Sequence, residues 1–271
     1  MTMESPDQET HWTNRLMIDY AELYLPFLEA ARARAEAEVA TVVRLLSEHG
    51  AAPGSRLLDA PCGIGRHAIP LAKLGYEVTG LDLSPLFVQA AVREAEQAGL
   101  DSTFVVGDAQ RIDEVLADAE PFDAVVNLFT SHGYYGKEGD LTMFRGYRRL
   151  VRDGAVFVIQ TVNRDWVVRN FEPEGLDKAG DIRIIQRRSF DFENSTIDNT
   201  WDFYEGGGEN IKHRLGITMA HRVYSLHELV EVVEESGWEY LGGYSVEDGS
   251  LAELVPLSFD SPAMWLVARA A

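Results

Sequence analysis

Three aspartates, Asp59, Asp82 and Asp108, each close a short apolar run, and a Gly-x-Gly turn follows the first of them. In Leu57-Leu58-Asp59-Ala60-Pro61-Cys62-Gly63-Ile64-Gly65-Arg66 a strand runs into a glycine-containing turn that opens a helix, the place where open α/β sheets bind ligands. Gly63 and Gly65 let the backbone approach a ligand with no Cβ in the way. Dinucleotide-binding proteins share such a turn, so by itself it leaves a nicotinamide cofactor open. Charge separates the readings. Asp59, just before the turn, would oppose a pyrophosphate and favour a cation. Asp82 ends Val78-Thr79-Gly80-Leu81-Asp82, where a carboxylate can accept both hydroxyls of a ribose, and Asp108 of Gly107-Asp108-Ala109 can accept from an adenine amino group. Each aspartate alone is equally a helix N-cap or turn residue. At the ends of three successive strands they point together to a positively charged nucleoside.

A second group sits in Thr130-Ser131-His132-Gly133-Tyr134-Tyr135-Gly136, which follows the fourth strand. His132 can serve as a general base, with Tyr134 as the other catalytic candidate; a hydrogen-bonded loop histidine is the plainer alternative. Tyr24, Phe129, Tyr135, Arg188 and Trp201 are the candidates for contact with a substrate, although packing explains the aromatics as readily. Cys62, the only cysteine, lies inside the turn and reads as a small buried residue rather than a nucleophile. No His, Cys and carboxylate cluster has metal-ligand spacing, so no metal is expected.

The elements that must position these residues follow from periodicity. Segment 13–49 is helical, with Leu16, Tyr20, Leu23, Tyr24, Phe27 and Leu28 at three- and four-residue steps and Pro26 expected to kink or divide it. Strands then alternate with helices: strands at 56–60, 77–81, 103–106, 122–128 and 155–161, and helices at 65–74, 84–98 and 139–150. That order implies parallel pairing with right-handed crossovers. Between 182 and 223 the pattern changes to period two, which reads as a three-stranded antiparallel sheet inserted over 164–223. Its alternating apolar face must be buried against something, as a lid or as a contact between two copies of the chain. Ser225 then caps a helix through Glu235 with Glu228 at the capping-box position, and strands follow at 238–246 and 263–268. The expected division is a helical cap over 1–50, a main domain of 51–163 and 224–271, and the inserted sheet.

Composition narrows the partners. The 271 residues carry a formal net charge of -20, which repels polyphosphate and argues against a nucleic-acid substrate. A single cysteine allows no intramolecular disulfide. Met1 to Thr10 is polar and acidic rather than a signal peptide, and the longest apolar runs are strand-sized, so neither export nor a membrane span is expected and a cytoplasmic location fits.

The motifs resemble those of class I S-adenosylmethionine-dependent methyltransferases. S-adenosylmethionine carries an ammonium and a sulfonium and no phosphate, which suits the acid before the turn. Asp59-Ala60-Pro61-Cys62-Gly63-Ile64-Gly65 resembles the family's first motif, Asp82 matches its ribose-binding acid, and Asp108-Ala109 its adenine-contacting pair. Phe122-Asp123-Ala124-Val125-Val126-Asn127-Leu128-Phe129 resembles the fourth motif. Pro61-Cys62 departs from the pattern, where many members carry a glycine. The resemblance implies a Rossmann-like doubly wound sheet of seven strands with the last antiparallel. It also implies cofactor contacts from Asp59 through Gly63, Gly65, Asp82, Leu83, Asp108, Ala109, Asn127 and Leu128, with Tyr20 added from an N-terminal cap. The implied reaction is methyl transfer to oxygen or nitrogen of a small molecule. A protein that binds the cofactor without catalysis, or a nicotinamide-dependent oxidoreductase, are the alternatives. The insertion and the ending Asp248-Gly249-Ser250 … Ser261-Pro262 are similar to small-molecule members with a small sheet beside the site.

Overall fold

The computed structural model describes residues 11–208, 210–246 and 253–271; Asp248-Gly249-Ser250 therefore lies outside the described residues. The chain starts with a short helix α1 (Trp12–Asn14), a π-helical turn (Arg15–Asp19), and α2 (Ala21–Ala31) joined by a 3-10 turn (Arg32–Arg34) to α3 (Ala35–Glu48). Pro26 sits inside α2, so the division expected at the proline falls instead at Arg32–Arg34.

Next come β1 (Arg56–Asp59), α4 (Ala68–Lys73), β2 (Glu77–Asp82), α5 (Pro85–Gln97), β3 (Thr103–Val106), α6 (Ile112–Val115), β4 (Phe122–Asn127), α7 (Gly136–Leu150) and β5 (Val151–Val162). After α8 (Arg164–Arg169) the chain forms β6 (Glu174–Ala179), β7 (Ile182–Asp191), β8 (Thr196–Gly207) and β9 (Asn210–Arg222), and returns through α9 (Leu226–Glu235), β10 (Trp238–Val246), β11 (Leu254–Val255) and β12 (Ala263–Ala270). The Ser225 capping box is present with both of its hydrogen bonds.

The main sheet has the order β11-β10-β12-β5-β4-β1-β2-β3. β1 to β5 are parallel to one another, and β12 runs antiparallel to β5. Seven of these strands are those the sequence patterns mark; the eighth, β11, is a two-residue edge against Ser245 and Val246, too short to leave a periodic signal. Alternation along each central strand feeds two cores. Leu58, Val125 and Phe157 face α7 and α9, while Leu57, Val126 and Val158 face α3 and α4.

The second sheet has four strands, β6-β7-β8-β9, rather than three. β6 escapes the sequence pattern because its residues Glu174-Gly175-Leu176-Asp177-Lys178-Ala179 do not alternate and Leu176 is exposed, as suits a charged edge strand. Its apolar face, with Ile184, Phe203, Leu215 and Ile217, packs on Leu16 and Leu23 of the chain's own N-terminal helices. That contact is the burial the alternating pattern requires.

Candidate active site

β1 stops at Asp59, and the chain turns through 60–67 before α4 begins. Gly63 and Gly65 take φ values of 55° and 74° there, a region that costs a side chain about 1 kcal/mol or more. A Cβ on Gly65 would lie 3.1 Å from Ala91 and Ile69, so this glycine serves close packing of α4 on α5 rather than the cavity wall. From beneath, Asn127 donates from Nδ2 to the Ala60 carbonyl at 3.0 Å, and the Tyr147 hydroxyl donates to the same oxygen at 2.8 Å. From the side, the Gly63 N–H donates to Asp82 Oδ2 at 2.8 Å while the Ser84 N–H donates to Oδ1 at 2.9 Å.

The two carboxyls next to the turn are held toward their neutral forms. Burial pushes Asp82 up to about 6 against the pull of those two N–H donors. Asp59 goes further, pushed by burial up to about 8 against the opposing attraction of the Arg66 guanidinium. Neither Asp59 oxygen has a hydrogen-bond partner; the Ala68 N–H favours ionisation without closing a bond. A buried carboxyl without partners is costly. A cation placed near it would relieve that cost.

Over the turn lies a cavity. Pro61, Cys62 and Gly63 line it from the turn, Asp82 and Leu83 from the end of β2, and Asp108 and Ala109 from the end of β3. Asp108 Oδ1 accepts from the Gln110 N–H at 2.9 Å. Leu128, Phe129, His132, Tyr134 and Tyr135 line it from the loop after β4, and Tyr24 from α2.

His132 has a defined tautomer. Its Nδ1 lies 3.0 Å from Asn127 Oδ1. The Asn127 amide nitrogen is committed to the Ala60 carbonyl, so the oxygen faces the ring and Nδ1 carries the proton. Nε2 therefore keeps its lone pair, and it has no partner although the ring is 1% exposed and lines the cavity. Burial, helped by the neighbouring His221, lowers this imidazole to about 3.

The loop that carries His132 is fastened to the inserted sheet. The His221 ring donates from Nε2 to the His132 carbonyl at 3.0 Å, and the Arg222 N–H donates to the Gly133 carbonyl at 2.9 Å. On the other side the Gly133 N–H donates to Asp140 Oδ1 at 2.8 Å, and the Tyr224 hydroxyl donates to Oδ2. Phe129 and Thr130, at φ 61° and 57°, hold a left-handed conformation that L residues seldom adopt. Gln160 of β5 fixes it: its Oε1 accepts from the Phe129 N–H at 2.7 Å and its carbonyl from the Thr130 N–H at 3.2 Å.

The start of the described chain covers this loop. Thr13 Oγ1 lies 2.8 Å from the Tyr135 hydroxyl and 2.8 Å from His11 Nδ1, while the His11 ring donates from Nε2 to the Tyr134 carbonyl at 3.1 Å.

Several residues expected at the site stand elsewhere. Asp59 and Ala60 lie behind the turn, and Asn127 orients His132 and the turn instead of lining the wall. Tyr20 packs in the cluster between the N-terminal helices and the inserted sheet, and so does Trp201, whose ring sits 5.7 Å from that of Tyr24. Arg188 spends its guanidinium on the Glu172 carbonyl and Gln186 Oε1, toward the edge of that sheet. For these three the apolar face of the sheet closes on the helices before it reaches the cavity. Conversely, Thr13, Arg66, Gln110 and Asp140 line the cavity and were not anticipated. Arg66 directly follows the glycine turn, a position that could have marked it; Thr13 and Asp140 carry no local signal. Among the described residues no group of three His, Cys, Asp or Glu side chains is placed to hold a metal, and no helix is long and apolar enough to cross a membrane.

Known proteins resemble this chain in sequence and fold. Residues 57–154 match a family model described as a methyltransferase domain. The ubiquinone biosynthesis O-methyltransferase of Maricaulis maris is 33% identical over 111 residues, 41% of this chain and 42% of the relative, so the chain spans about two-fifths of that protein's length. An S-adenosylmethionine-dependent methyltransferase from Clostridium acetobutylicum superposes with a TM-score of 0.71 at 13% identity, covering 93% of this chain and 97% of the other. An amino pentose methyltransferase from Micromonospora echinaspora, described with S-adenosylmethionine bound, gives 0.64 at 17% identity over 90% and 96%. At these identities the two solved structures speak to the fold.

Proposed function

We propose that the chain is a class I S-adenosylmethionine-dependent methyltransferase that transfers the cofactor's methyl group to an oxygen or nitrogen of a small molecule held in the cavity. The residues fit that cofactor: an unpartnered Asp59 behind the turn suits a cation, and Asp82 and Asp108 retain lone pairs for ribose hydroxyls and an adenine amino group. When bound, the cofactor supplies a methyl on a positively charged sulfur, open to in-line attack. The chain's own work is alignment, exclusion of water and removal of a proton.

The observation that carries the reading is His132 Nε2: a lone pair with no partner, in a buried ring with its tautomer set by Asn127, on the cavity wall. An acceptor hydroxyl placed there would donate to Nε2 as its oxygen attacks the methyl. Tyr134 and Tyr24 would bound the acceptor, and the N-terminal helices with the inserted sheet act as its cover. A relative that methylates oxygen and a structural neighbour that methylates an amino sugar suit either acceptor atom. A cofactor-binding protein without catalysis is the poorer reading, because the cavity runs past the turn to Tyr24 and His132 instead of closing there.

A screen of metabolites for release of S-adenosylhomocysteine tests the proposal. With a hydroxyl acceptor, His132→Ala should slow turnover by about 10²–10⁴-fold with cofactor affinity unchanged, whereas an amine acceptor, which needs mainly positioning, should lose little. Since the imidazole titrates near 3, its own contribution to the rate should be constant from pH 5 upward. Binding of S-adenosylhomocysteine with no turnover on any hydroxyl or amine would favour the non-catalytic reading.

A further inference from the structure

Three residues on one face of α7, spaced four and three apart, each hold something beneath the cavity. Tyr147 donates to the Ala60 carbonyl, and Phe144 meets the His132 ring edge-on at 5.9 Å between centroids. Asp140, one turn earlier, reaches the loop itself. Its carboxylate is on the cavity wall and 1% exposed, and its two oxygens are divided between two segments outside α7. Oδ1 accepts from the Gly133 N–H at 2.8 Å, and Oδ2 accepts from the hydroxyl of Tyr224, two residues past the end of β9.

Both partners are neighbours of His132. Gly133 follows it in the chain, and the Tyr224 ring lies 5.8 Å from the imidazole. Gly133 is held on both sides, its N–H by Asp140 and its carbonyl by the Arg222 N–H of β9. The Arg222 guanidinium also sits 5.0 Å from the centroid of the Tyr224 ring. Carboxylate, tyrosine and arginine thus close one circuit between α7, the loop and the inserted sheet. Asn127 already fixes which ring nitrogen of His132 carries the proton. The freedom that remains is movement of the loop backbone, and this circuit restrains it.

Holding a loop with a buried carboxylate costs free energy. Burial pushes Asp140 up to about 6, against the Gly133 and Tyr224 hydrogen bonds and the attraction of Arg222. The carboxyl therefore binds its proton more tightly in the folded chain than in the unfolded one. Ionising it takes stability from the fold as pH rises from about 4 to about 6, and above that the loss is complete. A group kept ionised at neutral pH against the stability of the fold points to a use at the site.

We propose that Asp140 is a positioning residue: through Gly133 and Tyr224 its carboxylate holds the His132 ring in place against the cavity, and neutralising it lets the ring shift. The inference rests on the reading of His132 as the group that meets the acceptor. A protonated carboxyl keeps one acceptor oxygen and turns the other into a donor, so the Tyr224 hydroxyl can no longer donate as it does now. The groups that act on the carboxylate are Tyr224 and Arg222 from the side of the inserted sheet and Tyr147 from its own helix, while His132 and His221 stand about the same loop.

Imidazole NMR tests this with neither acceptor nor cofactor present. The probe is the Cε1–H resonance of His132 in protein labelled with carbon-13 histidine, identified by its loss in His132→Gln and followed from about pH 5 to about pH 8. The ring itself titrates near 3 and His221 near 4, so a step in this window reports a neighbour. Wild type should show a step with its midpoint at about 6. Asp140→Asn copies the neutral carboxyl, with one acceptor and one donor, so its signal should be flat and lie at the acid end of the wild-type range. Tyr224→Phe removes one donor to the carboxylate and keeps the ring against His132, so its midpoint should move to higher pH; this variant carries the test if Asp140→Asn does not fold. A flat wild-type signal, or an unmoved midpoint in Tyr224→Phe, overturns the proposal. So does a step that survives Asp140→Asn, which would belong to Asp82, the other carboxyl near 6 beside the cavity. These results leave methyl transfer standing; that reading fails separately, if no hydroxyl or amine is turned over.

Discussion

Cofactor binding should expel a proton, and the amount follows from the state of Asp59. With its carboxyl at about 8, that group is about nine-tenths protonated at pH 7. Asp82, at about 6, is protonated about one-tenth of the time. If the ammonium comes within about 5 Å of Asp59, at an effective dielectric of about 20, it contributes about 3 kcal/mol, enough to lower that titration by about two pH units. Asp59 would then be about nine-tenths ionised at pH 7, so binding should release about 0.8 proton, with Asp82 adding at most about 0.1. The sign is fixed: the free carboxyl binds its proton more tightly than the liganded one. Affinity should accordingly rise with pH between about 6 and 8 and level off above. The assay is titration calorimetry with S-adenosylhomocysteine at pH 7 in buffers of different ionisation enthalpy, where the slope of observed heat against that enthalpy counts protons. Methylthioadenosine, without the ammonium, should give a slope near zero, and so should Asp59→Asn with either ligand. At pH 9 the release should drop below about 0.1. A buffer-independent heat for the wild type at pH 7 would refute the argument, as would a full slope in Asp59→Asn, which would trace the proton to another group.

Two further outcomes follow from the packing around the site. Asp82→Ala removes the acceptor for the Gly63 and Ser84 N–H groups along with the proposed ribose contact, and should weaken S-adenosylhomocysteine binding by about 1–3 kcal/mol in the same calorimetric assay. Gly133 sits at φ 84° with a would-be Cβ 2.1 Å from the Arg222 carbonyl; Gly133→Ala should pry the His132 loop off β9 and cut turnover at least tenfold while S-adenosylhomocysteine affinity stays within about twofold, and an unchanged turnover would mean that this contact does not position His132.

How much of this was legible in the sequence depends on how local the determinants are. The order of strands and helices from 56 to 162 follows period and punctuation, and each expected element lies within a few residues of its bounds; only the four-residue α6 (Ile112–Val115), too short to leave a periodic signal, was not expected. The three aspartates were legible for the same reason, since each is the last residue of a strand or stands just beyond one. Asn127 shows the limit. Its place at the end of β4 was visible, but its use was not, because the Ala60 carbonyl it holds is 67 residues away in sequence. Trp201 and Arg188 failed in the other direction: alternation put them on a strand face, and nothing local said where that face would close.

The acceptor side had to be less legible than the cofactor side, and the reason is physical. A ligand common to a whole family can be held by backbone turns and strand-end acids, which keep their spacing along the chain. The proposed acceptor space is made by four segments with no sequence register between them: the start of the described chain at Thr13, α2 at Tyr24, the loop at 129–135 and, behind that loop, β9 at His221 and Arg222. Their meeting is set by the burial of one apolar sheet face on Leu16 and Leu23. That burial brings β9 against the His132 loop, and the two hydrogen bonds from His221 and Arg222 then fix the loop's height over the turn. The inserted sheet thus acts on His132 through the backbone, with none of its own strand residues on the cavity wall. A change in the sheet's packing would alter which acceptors can reach His132 before it altered the chemistry.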